Sequence, residues 1–277
     1  MLSSFIAEMD KLIRQPATWI LGIVWLALNQ VFSYLIPYTS YLNSENERAA
    51  EQVLAGTLPS DLIANSISGF PVFAGAIALI LGALTVGSEY GWGTLKTALT
   101  QRPRRLSFYA GQLAALAVAV LAIVLATFAS GTLTSSVIAS VESEAINWPS
   151  LADLAQGFAA GFLILATWCL LGVVLAILFR SVALPIGLGL VWALVIENLI
   201  RSVAAPLLDF VETIQKGLPG VNAGSLVAAL GAPTRGGQAA PGVISAVDGT
   251  QATLVLVGYA VVFALIAAIV LQRRDVT

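Results

Sequence analysis

The chain has 277 residues, of which 58% are hydrophobic and only 10% charged, with a formal net charge of −2. A soluble domain carries roughly a quarter charged residues, so too few are present here to wet a globular surface, and disorder is excluded because disordered chains are poor in apolar residues. With 13 Lys and Arg against 15 Asp and Glu, no basic excess exists to neutralise phosphates, which excludes nucleic acid as a partner.

What remains is a membrane protein. Cys169 is the single cysteine, so no intrachain disulfide can form, and the chain contains no histidine. The usual zinc sites and Ser-His or Cys-His nucleophile pairs are therefore absent. No G-x-x-x-x-G-K-S/T phosphate loop occurs either. The expectation is a chain with no catalytic, cofactor or metal residues of its own, and not an enzyme.

The chain opens on an amphipathic pattern over residues 1–16. Leu2, Phe5, Ile6, Met9, Leu12 and Ile13 recur at helical spacing, while Glu8, Asp10, Lys11 and Arg14 lie off that stripe. This predicts a helix along the membrane interface before Pro16 turns the chain inward. A cleavable signal is not expected, because the following apolar run is too long and no A-x-A site closes it.

A spanning helix needs about 20 mostly apolar residues, at about 1.5 Å each, to cross the hydrocarbon. The first candidate is Thr18–Ile36, with Asn29 and Gln30 past its middle. Intramembrane polar residues either hydrogen-bond a neighbouring helix or face a functional cavity. A polar, acidic loop follows from Pro37 to about Ser66, with a short helix expected around Glu45–Leu54. The second span is Ile67–Val86 and the third Leu106–Ser130.

The fourth and fifth spans, Leu154–Phe179 and Val182–Ile200, are separated only by Arg180 and Ser181. Arg180 with Pro185 marks a tight hairpin turn. Gly157 and Gly161 in the fourth, like Gly75, Gly82, Gly111 and Gly172, permit close helix packing. Glu197 and Arg201 stand i,i+4 at the end of the fifth and are expected to pair, as a structural ion pair or an outer gate. Residues 201–251 form a long loop in which re-entrant or interfacial pieces are expected at Ala205–Lys216 and Gly224–Leu230. The sixth span is Thr253–Leu271.

With both termini inside, nine of the thirteen basic residues fall on the inner side and eleven of the fifteen acids outside. The positive-inside rule then assigns N-in, C-in. The fold expected is an all-α membrane protein, residues 1–277 forming one transmembrane domain with six spans.

Residues 88–105, between the second and third spans, carry the densest inner cluster of charge. Gly91 and Gly93 allow a sharp bend, Thr94 can cap a short helix with apolar Leu95, Ala98 and Leu99, Arg102 ends it, and Pro103 stops it. Such a helix, tethered at both ends by spans, can push on whatever touches it.

The run Glu89-Tyr-Gly-Trp-Gly-Thr-Leu-Lys-Thr-Ala-Leu-Thr100, then Arg102-Pro-Arg-Arg105 and Gly111-Gln-Leu113, resembles the signature of type-2 ATP-binding-cassette (ABC) exporter permeases. Gln112 departs from the Lys usual there. The segment Lys216-Gly-Leu-Pro-Gly-Val-Asn-Ala-Gly224 is similar to the stretch before the last helix of the bacitracin-resistance-like group.

The resemblance implies a permease subunit in a bacterial cytoplasmic membrane. It would pair with a second permease chain, as a homodimer, and dock on a separate ABC ATPase carrying ATP and magnesium. Thr94–Thr100 would be the coupling helix, with Glu89, Tyr90, Gly91, Trp92, Gly93, Thr94, Leu95, Lys96, Arg102, Arg104 and Arg105 as the ATPase-coupling residues. Trp92 and Leu95 would supply apolar anchors, Lys96 and Arg102 cationic ones. Asn29 and Gln30 would border the path of an amphipathic or lipid-like substrate moving outward. An ion-gradient-driven transporter and an ABC-linked sensor without cargo are the alternatives.

Overall fold

A computed structural model describes residues 2–91, 105–204, 207–234 and 239–273. No strand occurs among the described residues, and five of the helices are long and apolar enough to cross a membrane. The expected coupling helix and Trp92, Gly93, Thr94, Leu95, Lys96, Arg102 and Arg104 lie outside the described residues.

Helix α1 is Leu2–Arg14. Gln15 breaks it, and Pro16, which needs no backbone donor at a first helical position, starts α2, Pro16–Leu42. A π-helical turn at Val31–Leu35 lies within α2. Asn46 caps α3, Glu47–Ala55, by accepting the Ala49 N–H at 3.3 Å. Helix α4 runs Pro59–Gly91, beginning as a 3-10 turn and carrying a second π turn at Phe70–Ala74.

Helix α5 is Arg105–Val141 and α6 is Leu151–Phe179, capped by Ser150. Arg180 adopts the left-handed conformation (φ 52°) that ends α6, and the chain turns straight into α7. The α7 segment, Ala183–Leu199, is the shorter apolar helix where a fifth span was expected; π turns occupy Val191–Ile196 and Ile200–Ala204. The long loop holds two helices, α8 (Asp209–Gln215) and α9 (Pro219–Ala229). Helix α10, Gly249–Arg273, closes the bundle.

Helices α4 and α6 form the centre, with Leu79, Ile164, Leu165 and Val173 fully buried between their neighbours. Their backbones touch at two glycines. A Cβ on Gly172 would strike the Leu79 carbonyl, and one on Gly82 the Cys169 carbonyl. Small residues at such crossings let van der Waals packing replace the hydrophobic force that lipid removes. Gly157 and Gly161 receive Ile63, Phe128 and Phe70 of the same chain. By contrast α2 and α10 leave most of their apolar surface uncovered, Trp19, Ile20, Ile23, Leu254 and Leu265 among it.

The two ends of the bundle differ. Helix α1, the start of α5 and the end of α10 share one end. At the other, α9 is buried against α10 and the Phe70–Ala74 turn, and Ser225 Oγ accepts the Ala246 N–H at 3.2 Å.

Candidate functional site

At the termini end, α1 lies across the first turns of α5. Gly111 makes the approach possible, since a Cβ there would stand 2.5 Å from the Ser4 Cβ and 2.9 Å from the Phe5 nitrogen. The face of α1 turned inward takes only part of its apolar stripe, with Leu12 buried and Phe5 and Met9 packed against the core. Ser4, Glu8 and Leu12, spaced i,i+4, are buried, while Leu2, Ile6 and Ile13 are more than half exposed. An interface helix in lipid is covered on its apolar side by acyl chains, so its polar residues are free to meet the protein.

The off-stripe charges accordingly divide. Asp10 and Arg14 pair with each other at 2.9 Å on the exposed side. Glu8 and Lys11 point inward, with the Lys11 ammonium 2.6 Å from the Glu8 carboxylate. The same ammonium donates to Oε1 of Glu89, at the end of α4. Glu8 and Glu89 are 5% and 6% exposed, so this is a nearly dry ionic junction. Burial pushes the Glu8 carboxyl above the usual range; Lys11 opposes the shift, the Glu89 charge adds to it, and a hydrogen bond with Gln112 opposes it. Gln112, where the family pattern has Lys, is itself buried.

Of the remaining expected coupling residues, Tyr90 packs against the core and Gly91 is exposed at the last turn of α4. Arg105 opens α5 and donates to the Leu271 and Gln272 carbonyls, each at 3.3 Å. Those carbonyls belong to the last turn of α10, where unpaired acceptors and the helix dipole favour a cation. Both roots of segment 88–105 are thus fixed: one to α1 through Glu89, the other to α10 through Arg105. Glu8, Lys11 and Gln112 were not expected as site residues; the i,i+3 spacing of Glu8 and Lys11 was the available signal.

At the opposite end lies a cavity of about 680 Å³, walled by the second half of α2, α3, the start of α4 and the loop preceding α10. Asn29 lines it. Its amide nitrogen donates to the Asn65 carbonyl at 3.1 Å and to Ser33 Oγ at 3.3 Å. Its Oδ1 is buried without a partner among the described residues. Gln30 points elsewhere, donating to Ser130 at 2.9 Å and accepting from Thr134 at 2.6 Å, which fastens α2 to α5.

Glu197 and Arg201 act on each other through their charges, but no ion-pair contact between them occurs among the described residues. Glu197 accepts the Trp192 indole N–H at 2.7 Å and the Gly220 N–H, while Arg201 donates to Asn198 Oδ1. π turns lie on either side of the α-helical Glu197–Leu199. Through those hydrogen bonds Glu197 ties α7 to α9, a role for Trp192 and Gly220 with no local sequence signal. Near the same end, Tyr38 and Tyr41 of α2 both donate to Glu142, at 2.7 and 2.8 Å.

The apolar helices and the chain's composition make this an integral membrane protein. No curated protein matches the chain. The model of the ABC-2 family transporter proteins matches residues 2–276, nearly its whole length, and the chain belongs to that family of transporter permeases.

Proposed function

We propose that the chain is the membrane subunit of an ATP-driven exporter in a bacterial cytoplasmic membrane. Membership of the ABC-2 family implies partnership with an ABC ATPase subunit. In this reading α7 with its following π turn supplies the sixth span, both termini are cytoplasmic, and two copies pair as a homodimer. ATP and magnesium reside on the partner, and the cargo is an amphipathic or lipid-like molecule moved outward. Residues 88–105 receive the motion of the ATPase, with Trp92 and Leu95 as apolar anchors and Lys96, Arg102 and Arg104 as cationic ones.

The observation that carries the proposal is the anchoring of both ends of that segment. A loop that only spans two helices needs no fixed roots. A lever does, because a push on a slack tether is lost before it reaches the spans. The Glu8–Lys11–Glu89 junction passes displacement to α1 and α4, and Arg105 passes it to α5 and α10. Bundles packed at native density answer such a push by shifting between discrete arrangements.

The test is reconstitution of the chain with its ATPase in vesicles. ATP-dependent movement of an amphipathic cargo that needs both subunits supports the proposal. A chain that purifies without any nucleotide-binding partner, and moves cargo in response to an ion gradient alone, refutes it.

A further inference from the structure

Three carboxylates are buried among the described residues. Glu8 and Glu89 belong to the junction on α1; the third, Glu197, is 5% exposed and lies in the apolar α7. An ionisable group among membrane helices is costly and is held there by specific partners. Those of Glu197 are the Trp192 indole on its own helix, at 2.7 Å, and the Gly220 N–H on α9. Arg201 acts on it through its charge, and Tyr259 of α10 feels its field.

Helix α9 has 11 residues and is about 16 Å long, half of the roughly 30 Å hydrocarbon, so it enters the bundle without crossing it. It is buried over most of its length against α10, the Phe70–Ala74 turn and α6. Its first donors are few. Pro219 has no N–H, the Asn222 N–H goes to the Leu218 carbonyl at 3.1 Å, and the Gly220 N–H meets the Glu197 carboxylate. A negative charge therefore faces the positive end of the helix dipole. Only glycine fits there, since a Cβ on Gly220 would overlap Glu197 Oε2.

Glycines also bracket α9. Gly217 precedes it, its carbonyl held by the Tyr259 hydroxyl at 3.0 Å, and Gly231 follows it at a φ of 96° that other residues rarely adopt. On the other side of the contact, Glu197 opens a three-residue α-helical turn between two π turns. A π turn holds one residue more than an α turn, so its conversion to α rotates whatever lies beyond it. Such a rotation carries the carboxylate away from Gly220.

We infer that Glu197 is the positioning residue for α9. Its carboxylate latches the half-helix against α7, and a rotation of α7 that withdraws it frees α9 to swing about Gly217 and Gly231. The inference rests on the permease reading only for making the released helix part of the cargo's way out.

The test uses the full chain in lipid nanodiscs. Cys169→Ala removes the single thiol, and Val227→Cys places a reporter on α9 at a position that is 0% exposed. The rate of labelling by a membrane-impermeant maleimide reports release. Glu197→Leu and Gly220→Ala are each expected to speed labelling about tenfold, as for one lost charge-assisted hydrogen bond. The double mutant should go no faster than either, because both changes remove the same contact. Glu197→Gln keeps an acceptor and Trp192→Phe spares the Gly220 contact, so each is expected to speed labelling only about threefold. Amide exchange in α4 and α6 should stay at the native rate, which separates release of one helix from loss of the bundle.

Labelling that neither Glu197→Leu nor Gly220→Ala alters would overturn the inference. So would rates that multiply in the double mutant, Gln and Leu acting alike at position 197, or α6 losing protection in step with α9. Labelling requires neither ATPase nor cargo, so its outcome stands whether or not ATP-driven movement is found.

Discussion

Lys11, on the helix that opens the chain, donates to Glu89 at the end of α4, across 78 residues of sequence. The contact joins an element that lies along the membrane to one that crosses it, at the point where the chain leaves for residues 92–104. Because Lys11 also holds Glu8, one ammonium sets the position of both carboxylates.

Removing that ammonium leaves Glu8 buried without its counter-charge. Lys11→Ala is expected to destabilise the protein by about 1–2 kcal/mol, between the values for exposed and for fully buried pairs. Lys11→Glu gathers three carboxylates and is expected to be worse. Adding Glu89→Lys restores two carboxylates and one ammonium, and should recover part of the loss. Thermal melting of the four proteins in one detergent checks this; a double mutant no better than Lys11→Glu would show that the junction is not electrostatic.

Glu8 gives the junction a pH dependence of a defined sign. Its carboxyl is held above the ordinary range by burial, with Lys11 and Gln112 acting downward and Glu89 upward. The folded state therefore binds the proton more tightly than the unfolded one, so the stability this proton contributes is lost as pH rises from the ordinary Glu range through the raised value. Glu8→Gln, neutral throughout, should flatten this part of the profile and be the more stable protein at neutral pH. Amide exchange in α1, followed between about pH 4 and about pH 8 around the ordinary Glu value, reads it directly. An identical pH profile in Glu8→Gln would contradict the assignment.

Glu142 is expected to behave oppositely. Hydrogen bonds donated by Tyr38 and Tyr41 hold its carboxyl below the ordinary range. The link between α2 and α5 is then present above the ordinary Glu range and lost as pH falls through the lowered value. Tyr38→Phe with Tyr41→Phe should abolish this acid sensitivity and raise amide exchange in the last turn of α2 at neutral pH. Unchanged exchange there would show the contact to be inconsequential.

Two glycines separate packing from propensity. Gly172→Ala places a methyl against the Leu79 carbonyl and forces α4 and α6 apart, at a cost of about 1–3 kcal/mol. Gly187→Ala in α7 meets nothing within 4 Å and should be neutral or mildly stabilising, because Ala is the better helix former. Comparable losses in both proteins would indicate that helix crossing is not the constraint.

Hydrophobic run length alone predicted where apolar helices occur, because bilayer thickness and backbone hydrogen bonding leave a chain in lipid few choices. It did not predict how far the helices extend. Helix α5 continues to Val141, beyond the expected Ser130: Thr134 bonds to Gln30 of α2, while Ser135, Ser136 and Ser140 turn their hydroxyls back onto carbonyls of their own helix. The turn at Arg180 was legible from charge and proline. The inward face of α1 was not: periodicity separates apolar from polar residues, but it cannot say that polar Glu8 and Lys11 join Leu12 against the protein while apolar Ile6 and Ile13 stay exposed. Glu197 shows a related limit, since its spacing to Arg201 gave no sign of the hydrogen bonds that it accepts from Trp192 and Gly220.

Whether an ATPase drives this chain through the segment rooted at Glu89 and Arg105 is decided by comparing ATP hydrolysis with cargo movement in vesicles holding both subunits. The measurement is made on the native chain, on Glu89→Ala and on Gly93→Pro. Both variants are expected to insert and fold and to leave hydrolysis running, while cargo movement per ATP falls about tenfold or more, a loss of about 1.4 kcal/mol in driving the transition. Cargo movement at the native ratio in both variants would contradict drive through that segment.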